Sequence, residues 1–138
     1  MAVKYNFSGK TVFVTGGSKG IGKAIAEGFL KSGANVIVCA RGEKDLQKLK
    51  DAYSGYPLLT LQGDAASERE AARMLEQASR FFLGIDILVN NVGGAIKFGD
   101  FWSLSNQDWL NSFQLNLLSM VNFSREAIPY LRKSEVRR

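Results

Sequence analysis

The stretch Val14–Gly22, VTGGSKGIG, places four glycines in nine positions. Neither a strand interior nor a helix carries that density of glycine without losing stability. The flanking residues say which elements the stretch joins. Thr11-Val12-Phe13-Val14 is short, β-branched, aromatic and apolar, the pattern of a strand buried on both faces. Ile21, Ala24, Ile25, Gly28 and Phe29 then recur at helical spacing and are expected to form the buried face of a helix. The glycines therefore sit on a strand-to-helix turn. Free N–H groups and the positive dipole end of a helix suit a phosphate or pyrophosphate there, and missing side chains let it approach. The spacing Thr15-Gly16-x-x-x-Gly20-x-Gly22 is neither the G-x-G-x-x-G pattern nor a P-loop, because no Gly-Lys-Ser/Thr follows. An ordinary strand–helix connection would also tolerate it, so the rest of the chain decides.

Asn35–Ala40 (NVIVCA) reads as a second buried strand, and a polar helix follows from about Lys44 to Tyr53. A third strand is expected at Leu58–Gln62. From Ser67 to Phe82, the residues Ala71, Met74, Leu75, Ala78, Phe81 and Phe82 mark one helical face. The fourth strand is expected at Ile85–Asn91, and one long helix from about Asn106 to Leu131. Regular alternation of strand and helix makes the chain α/β with a parallel sheet, and right-handed crossovers favour the strand order 3-2-1-4 of a doubly wound fold. Ligands of such sheets bind beyond the carboxyl ends of the strands, where the order reverses. The glycine turn ends strand 1, and Asn90, Asn91 and Gly93 end strand 4. Two independent features meet at one crevice.

Length supports one domain over residues 1–131 with a basic tail, 132–138. The formal charge of +5 is concentrated there, since Arg132, Lys133, Arg137 and Arg138 against Glu135 leave +3 in seven residues. No basic groove with interleaved aromatics appears elsewhere, so no nucleic-acid partner is expected. Histidine is absent, which removes Ser-His-Asp and Cys-His catalysis and argues against a metal site. The single cysteine, Cys39, has no internal disulfide partner and lies in a predicted strand, so a buried, inert thiol is expected. No apolar run approaches the ~20 residues of a membrane span. The N-terminal MAVKYNFSGK has no signal-peptide core, and a cytoplasmic location is expected.

Taken in order, these motifs resemble the short-chain dehydrogenase/reductase family. TGGSKGIG fits its T-G-x-x-x-G-x-G turn, and Asn90–Gly93 (NNVG) fits its N-N-A-G with Val92 in place of Ala. Asp64 matches the acidic residue that meets the adenine amino group, and Asn116, in FQLNLLSM, matches the helix asparagine of the catalytic tetrad. The resemblance implies a Rossmann-like sheet, incomplete relative to the family, with a nicotinamide cofactor. Its binding set would be Thr15, Gly16, Ser18, Lys19, Gly20, Ile21, Gly22, Arg41, Asp64, Ala65, Asn91 and Gly93. Each polar member has a plainer alternative. Asp64 could cap a turn, and Asn90 and Asn91 could tie loop backbone. Asn116, among apolar neighbours, could be a buried structural asparagine that needs a partner.

An NAD site needs an acid near the end of strand 2 for the ribose 2′-OH. Here that position reads Cys39-Ala40-Arg41. Arg41 and Lys19 are instead two cations suited to a 2′-phosphate, with Ser18 able to add a hydroxyl, so NADP(H) is favoured over two merely solvated charges.

In the family, a serine and a Tyr-x-x-x-Lys pair follow the long helix. Four residues after Tyr5, Tyr53, Tyr56 and Tyr130 come Gly9, Pro57, Thr60 and Ser134, none of them lysine. Two functions follow. One is an NADP(H)-dependent oxidoreductase interconverting a small-molecule carbonyl and a secondary alcohol, of which this chain is the N-terminal half and by itself inactive. The other is a stand-alone nucleotide-binding module. The 106–131 helix carries Trp109, Leu110, Phe113, Leu115, Leu117, Leu118, Met120, Val121 and Phe123, apolar on more than one face, so the surplus should bury against another subunit or the family's second half. The resemblance implies a homo-oligomer through this helix.

Overall fold

Four short apolar runs become four parallel strands in the computed structural model, which describes residues 3–134. In chain order they are β1 (Thr11–Thr15), α1 (Gly20–Lys31), β2 (Asn35–Ala40), α2 (Glu43–Ala52), β3 (Leu58–Gln62), α3 (Glu68–Phe82) and β4 (Ile87–Val89). A short 3₁₀ turn, Phe101–Ser103, precedes α4 (Asn106–Phe113), a π turn (Gln114–Leu118) and α5 (Ser119–Leu131). The sheet order is β3-β2-β1-β4, as the crossover rule requires.

Alternation along the strands sorts the core into two layers. Val12, Val14, Val36 and Val38 face α1 and α2, where they meet Ala26, Leu30, Leu46 and Leu49. Phe13, Ile37 and Cys39 face the other way, onto Met74, Leu75 and Ala78 of α3 and Phe123 and Ala127 of α5. The Phe13 and Phe123 rings lie 5.3 Å apart between centroids and join sheet to helix. No helix among the described residues is long and apolar enough to cross a membrane.

Two expectations need correction. The buried line of α1 is Gly22, Ala26 and Leu30, whereas Ile21 is exposed and Ile25 and Phe29 are only partly covered. The cause is Gly22, whose missing side chain lets α1 sit directly on the glycine turn and so rotates the stripe. β4 is three residues long, shorter than the apolar run suggests. Side chains replace the ladder at its ends: Asp86 accepts from the Thr11 N–H at 2.8 Å, and Thr15 Oγ1 accepts from the Asn91 N–H at 3.0 Å. The long helix runs without a gap from Asn106 to Leu131, as expected, and holds a π turn in which Asn116 falls.

α4 opens with a capping box, Ser105 and Asp108 each bonding the other's backbone N–H. Trp109, Leu110, Phe113 and Leu117 are exposed, in keeping with surplus apolar surface on this helix. Arg132 and Lys133 of the basic tail are also exposed, and its last four residues, 135–138, lie outside the described residues.

Candidate functional site

At the carboxyl ends of the strands a cleft of about 580 Å³ opens between the glycine turn, the end of β2, the loop after β3 and the loop after β4. The glycine turn forms its floor. Gly16 (φ +64°) and Gly20 (φ +59°) hold backbone that a side chain would strain. Gly16 and Gly17 donate N–H bonds of 2.9 and 3.3 Å to the Cys39 carbonyl, locking the turn to β2.

Helix α1 starts here without the usual closure. Ser67 caps α3, Ser105 caps α4, and α2 has Glu43 and Asp45 in its first turn. α1 begins at Lys19 with no side-chain cap and no acid in its first turn. Its N–H groups and dipole are left for an anion. Space fits the same purpose: a Cβ on Gly20 would meet nothing within 4 Å, so the turn faces open cleft at that point. This terminus therefore fits a pyrophosphate on geometry and charge together.

Two sequence candidates lie one step behind the cleft surface. Thr15 is buried, and its Oγ1 accepts from the N–H groups of Asn91 and Val92 (3.0 and 3.3 Å) and lies 3.4 Å from the Val89 carbonyl it donates to. It stitches the end of β1 to the end of β4. Gly22 fits so closely that an added Cβ would lie 2.3 Å from Asn91 Nδ2 and 2.4 Å from the Gly16 carbonyl oxygen. Asn91 itself donates from Nδ2 to that carbonyl at 3.1 Å, so its side chain ties loop to turn.

The remaining candidates face the cleft. Ser18, Lys19, Gly20 and Ile21 line one side, with Arg41 at the end of β2. Lys19 and Arg41 are exposed, and among the described residues no carboxylate pairs with either. Asp64 and Ala65 line the cleft as well. Asp64 Oδ1 accepts from the Ala66 N–H at 2.9 Å, the turn-capping role, while the residue still borders the cleft. Gly93 and Asn91 close the end beside β4. Asn90 points elsewhere and donates to Ser124 Oγ at 3.1 Å.

Asn116 has the partners that an asparagine among apolar neighbours needs. It is exposed, not buried, yet its amide is fully engaged: Oδ1 accepts from the Gly94 N–H at 2.8 Å, and Nδ2 donates to the Gly94 and Ser112 carbonyls, both at 2.9 Å. Its side chain orders the glycine loop bordering the cleft.

Cys39, Leu115 and Asp45 are among the lining residues that the predicted set lacks. Cys39 sits under the cleft, buried as expected, and burial pushes its thiol up to about 12. Leu115 reaches in from the π turn. Asp45 shares the wall with Arg41, but an acid in a first helical turn signals dipole compensation before it signals a site.

A family model described as short chain dehydrogenase matches residues 10–137. Mouse L-fucose dehydrogenase is 35% identical over 134 residues, covering 97% of this chain and 48% of that protein. A 3-oxoacyl-[acyl-carrier-protein] reductase of rhamnolipid biosynthesis from Pseudomonas aeruginosa is 32% identical over 136 residues, covering 94% of this chain and 51% of its own. The crystal structure of a short chain dehydrogenase from Burkholderia cenocepacia in complex with NADP superposes with a TM-score of 0.85 at 29% identity, covering 91% of this chain and 52% of that one. The chain spans about half the length of these relatives.

Proposed function

The chain belongs to the short-chain dehydrogenase family, and on that premise we propose that it carries the nucleotide-binding part of an NADP(H)-dependent oxidoreductase. The substrate would be a small carbonyl compound or the matching secondary alcohol. One observation carries the cofactor choice: Lys19 and Arg41, two cations without an ion-pair partner among the described residues, border a cleft whose floor is an uncapped helix terminus. Cys39-Ala40-Arg41, at the end of β2, offers no carboxylate for a ribose 2′-OH, and the one acid nearby, Asp45, lies in the first turn of α2.

In this reading the Gly16–Gly22 backbone holds the pyrophosphate, Lys19 and Arg41 hold the 2′-phosphate, and Asp64 and Ala65 flank the base. Asn91 and Gly93 border the nicotinamide end, and Asn116 keeps the Gly94 loop in place. NADPH, when bound, would supply a hydride, and these residues would bind and orient it. A free, buried thiol accords with a cytoplasmic location. The exposed apolar side of α4 and the π turn supports self-association.

The test is Arg41→Asp, with titration of NADPH and NADH into both proteins. A 2′-phosphate would then face a like charge, so NADPH binding should weaken about tenfold or more while NADH binding holds. Preference of the unmodified protein for NADH would refute the assignment.

A further inference from the structure

We infer that Gln114 and Asn122 are positioning residues for the base-binding loop, and that the π turn is the spacer that lets both reach one carbonyl. The inference rests on the nucleotide reading above. Gln114 Nε2 donates to the Ala66 carbonyl at 2.9 Å, and Asn122 Nδ2 donates to the same oxygen at 3.2 Å. Both lone pairs of that carbonyl are thereby used. The N–H of the same peptide unit, that of Ser67, donates to the Asp64 carbonyl at 3.1 Å. The Ala66–Ser67 peptide is therefore held at both edges, immediately after the two residues that border the cleft.

Further bonds complete the clamp. On the α3 side, Glu70 accepts from the Asp64 N–H and donates its own N–H to Ser67 Oγ. On the α5 side, Arg125 donates to Asn122 Oδ1 at 3.2 Å and to Glu68 at 2.8 Å. With Oδ1 engaged by Arg125, the Asn122 amide presents its NH₂ to Ala66.

The spacing explains the π turn. Gln114 and Asn122 are eight residues apart. At about 100° per residue an unbroken α-helix would leave them ~80° out of line. One residue absorbed by a π turn removes about 100°, so they come within ~20° of one line. The same turn aims Asn116 at Gly94. A single helical irregularity thus fixes a loop on each side of the cleft.

The test uses Gln114→Met with Asn122→Leu in the full chain, which removes both donors at similar size. Dissociation constants are measured for adenosine 2′,5′-bisphosphate, NADPH and reduced nicotinamide mononucleotide, with melting temperature and amide exchange at residues 64–67. Loss of two hydrogen bonds should weaken the bisphosphate and NADPH about tenfold or more. It should also speed exchange of the loop amides by about tenfold. The lost bonds lower the melting temperature by a few °C, but the mononucleotide, which has no adenine, should bind unchanged. Unaltered bisphosphate affinity with unaltered exchange would overturn the inference. So would an equal loss for all three ligands, the mark of general destabilisation. If the unmodified chain binds none of the three, the nucleotide reading fails, and loop exchange alone decides whether the clamp exists.

Discussion

Replacing Gly22 with alanine separates the role of the glycine turn as packing surface from its role as phosphate cradle. The new Cβ would stand 2.4 Å from the Gly16 carbonyl oxygen and 2.3 Å from Asn91 Nδ2. A carbonyl in a turn locked to β2 cannot swing away, so α1 must lift or Asn91 must leave. Overpacking of this kind costs about 1–3 kcal/mol. Losing the Asn91–Gly16 bond costs ~0.5–1.5 kcal/mol more. Alanine returns ~1 kcal/mol of helix propensity. The net is about 2 kcal/mol, or a melting temperature lower by roughly 6–8 °C at this chain length. Gly20→Ala is the companion. Its φ of +59° costs an alanine about 1 kcal/mol, but its Cβ meets nothing within 4 Å. That methyl would instead project where a pyrophosphate must approach. Circular dichroism melts with and without NADPH distinguish the two. NADPH at a hundred times its dissociation constant adds ~2.7 kcal/mol to the unmodified protein. Gly22→Ala should melt early, whereas Gly20→Ala should melt within about 3 °C of the parent and lose the NADPH shift. A Gly22→Ala protein melting within ~2 °C of the parent, or a Gly20→Ala protein with the full shift, would refute the reasoning.

Other expectations follow from single groups. Lys97, followed by the Ser105 N–H and hydroxyl, holds the Asp108 carboxyl below the ordinary 3.8, at about 2. Because the folded value is the lower one, its stabilisation of α4 is present above about 3.8 and is lost as pH falls through about 2. Carboxyl ¹³C shifts should follow that course, and titration at the ordinary value would contradict it. The 138-residue polypeptide given NADPH and a panel of ketones should show no turnover, because no tyrosine has a lysine four residues on and no histidine can donate a proton. Turnover that disappears on Asn116→Ala would refute this. Sedimentation should show a dimer or larger species that Leu110→Glu dissociates, and a monomer at every concentration would contradict the apolar face as an interface.

The sheet was legible in the sequence because its signals are local. Runs such as NVIVCA are too apolar and too short to be anything but buried strands, and the crossover rule orders them. Asn91 and the glycine turn could be brought together in advance because both close adjacent strands. The buried line of α1 could not, since Ile21, Ala24, Ile25, Gly28 and Phe29 keep helical spacing whichever side the turn selects. The choice was made by a contact of Gly22 with residues on two other segments. The π turn left no trace either, because QLNLL has the composition of any amphipathic helix. The Ala66 clamp is invisible for a stronger reason: its acceptor is a main-chain carbonyl 48 and 56 residues from its donors, and carbonyls carry no sequence.

β1 lies inside the sheet, and its outer partner arrives late. The bond from Thr11 to Asp86 spans 75 residues of chain, whereas β2 follows β1 almost at once. At a synthesis rate of about 5–20 residues per second, β1 waits roughly 4–15 s for β4. Meanwhile Thr11–Thr15, apolar on both faces, offers one bare row of N–H and C=O groups, the form of edge that recruits a strand from another chain. Any pause in translation between Asn35 and Ile87 lengthens that interval, so the yield of soluble protein should depend on how fast this one stretch of message is read.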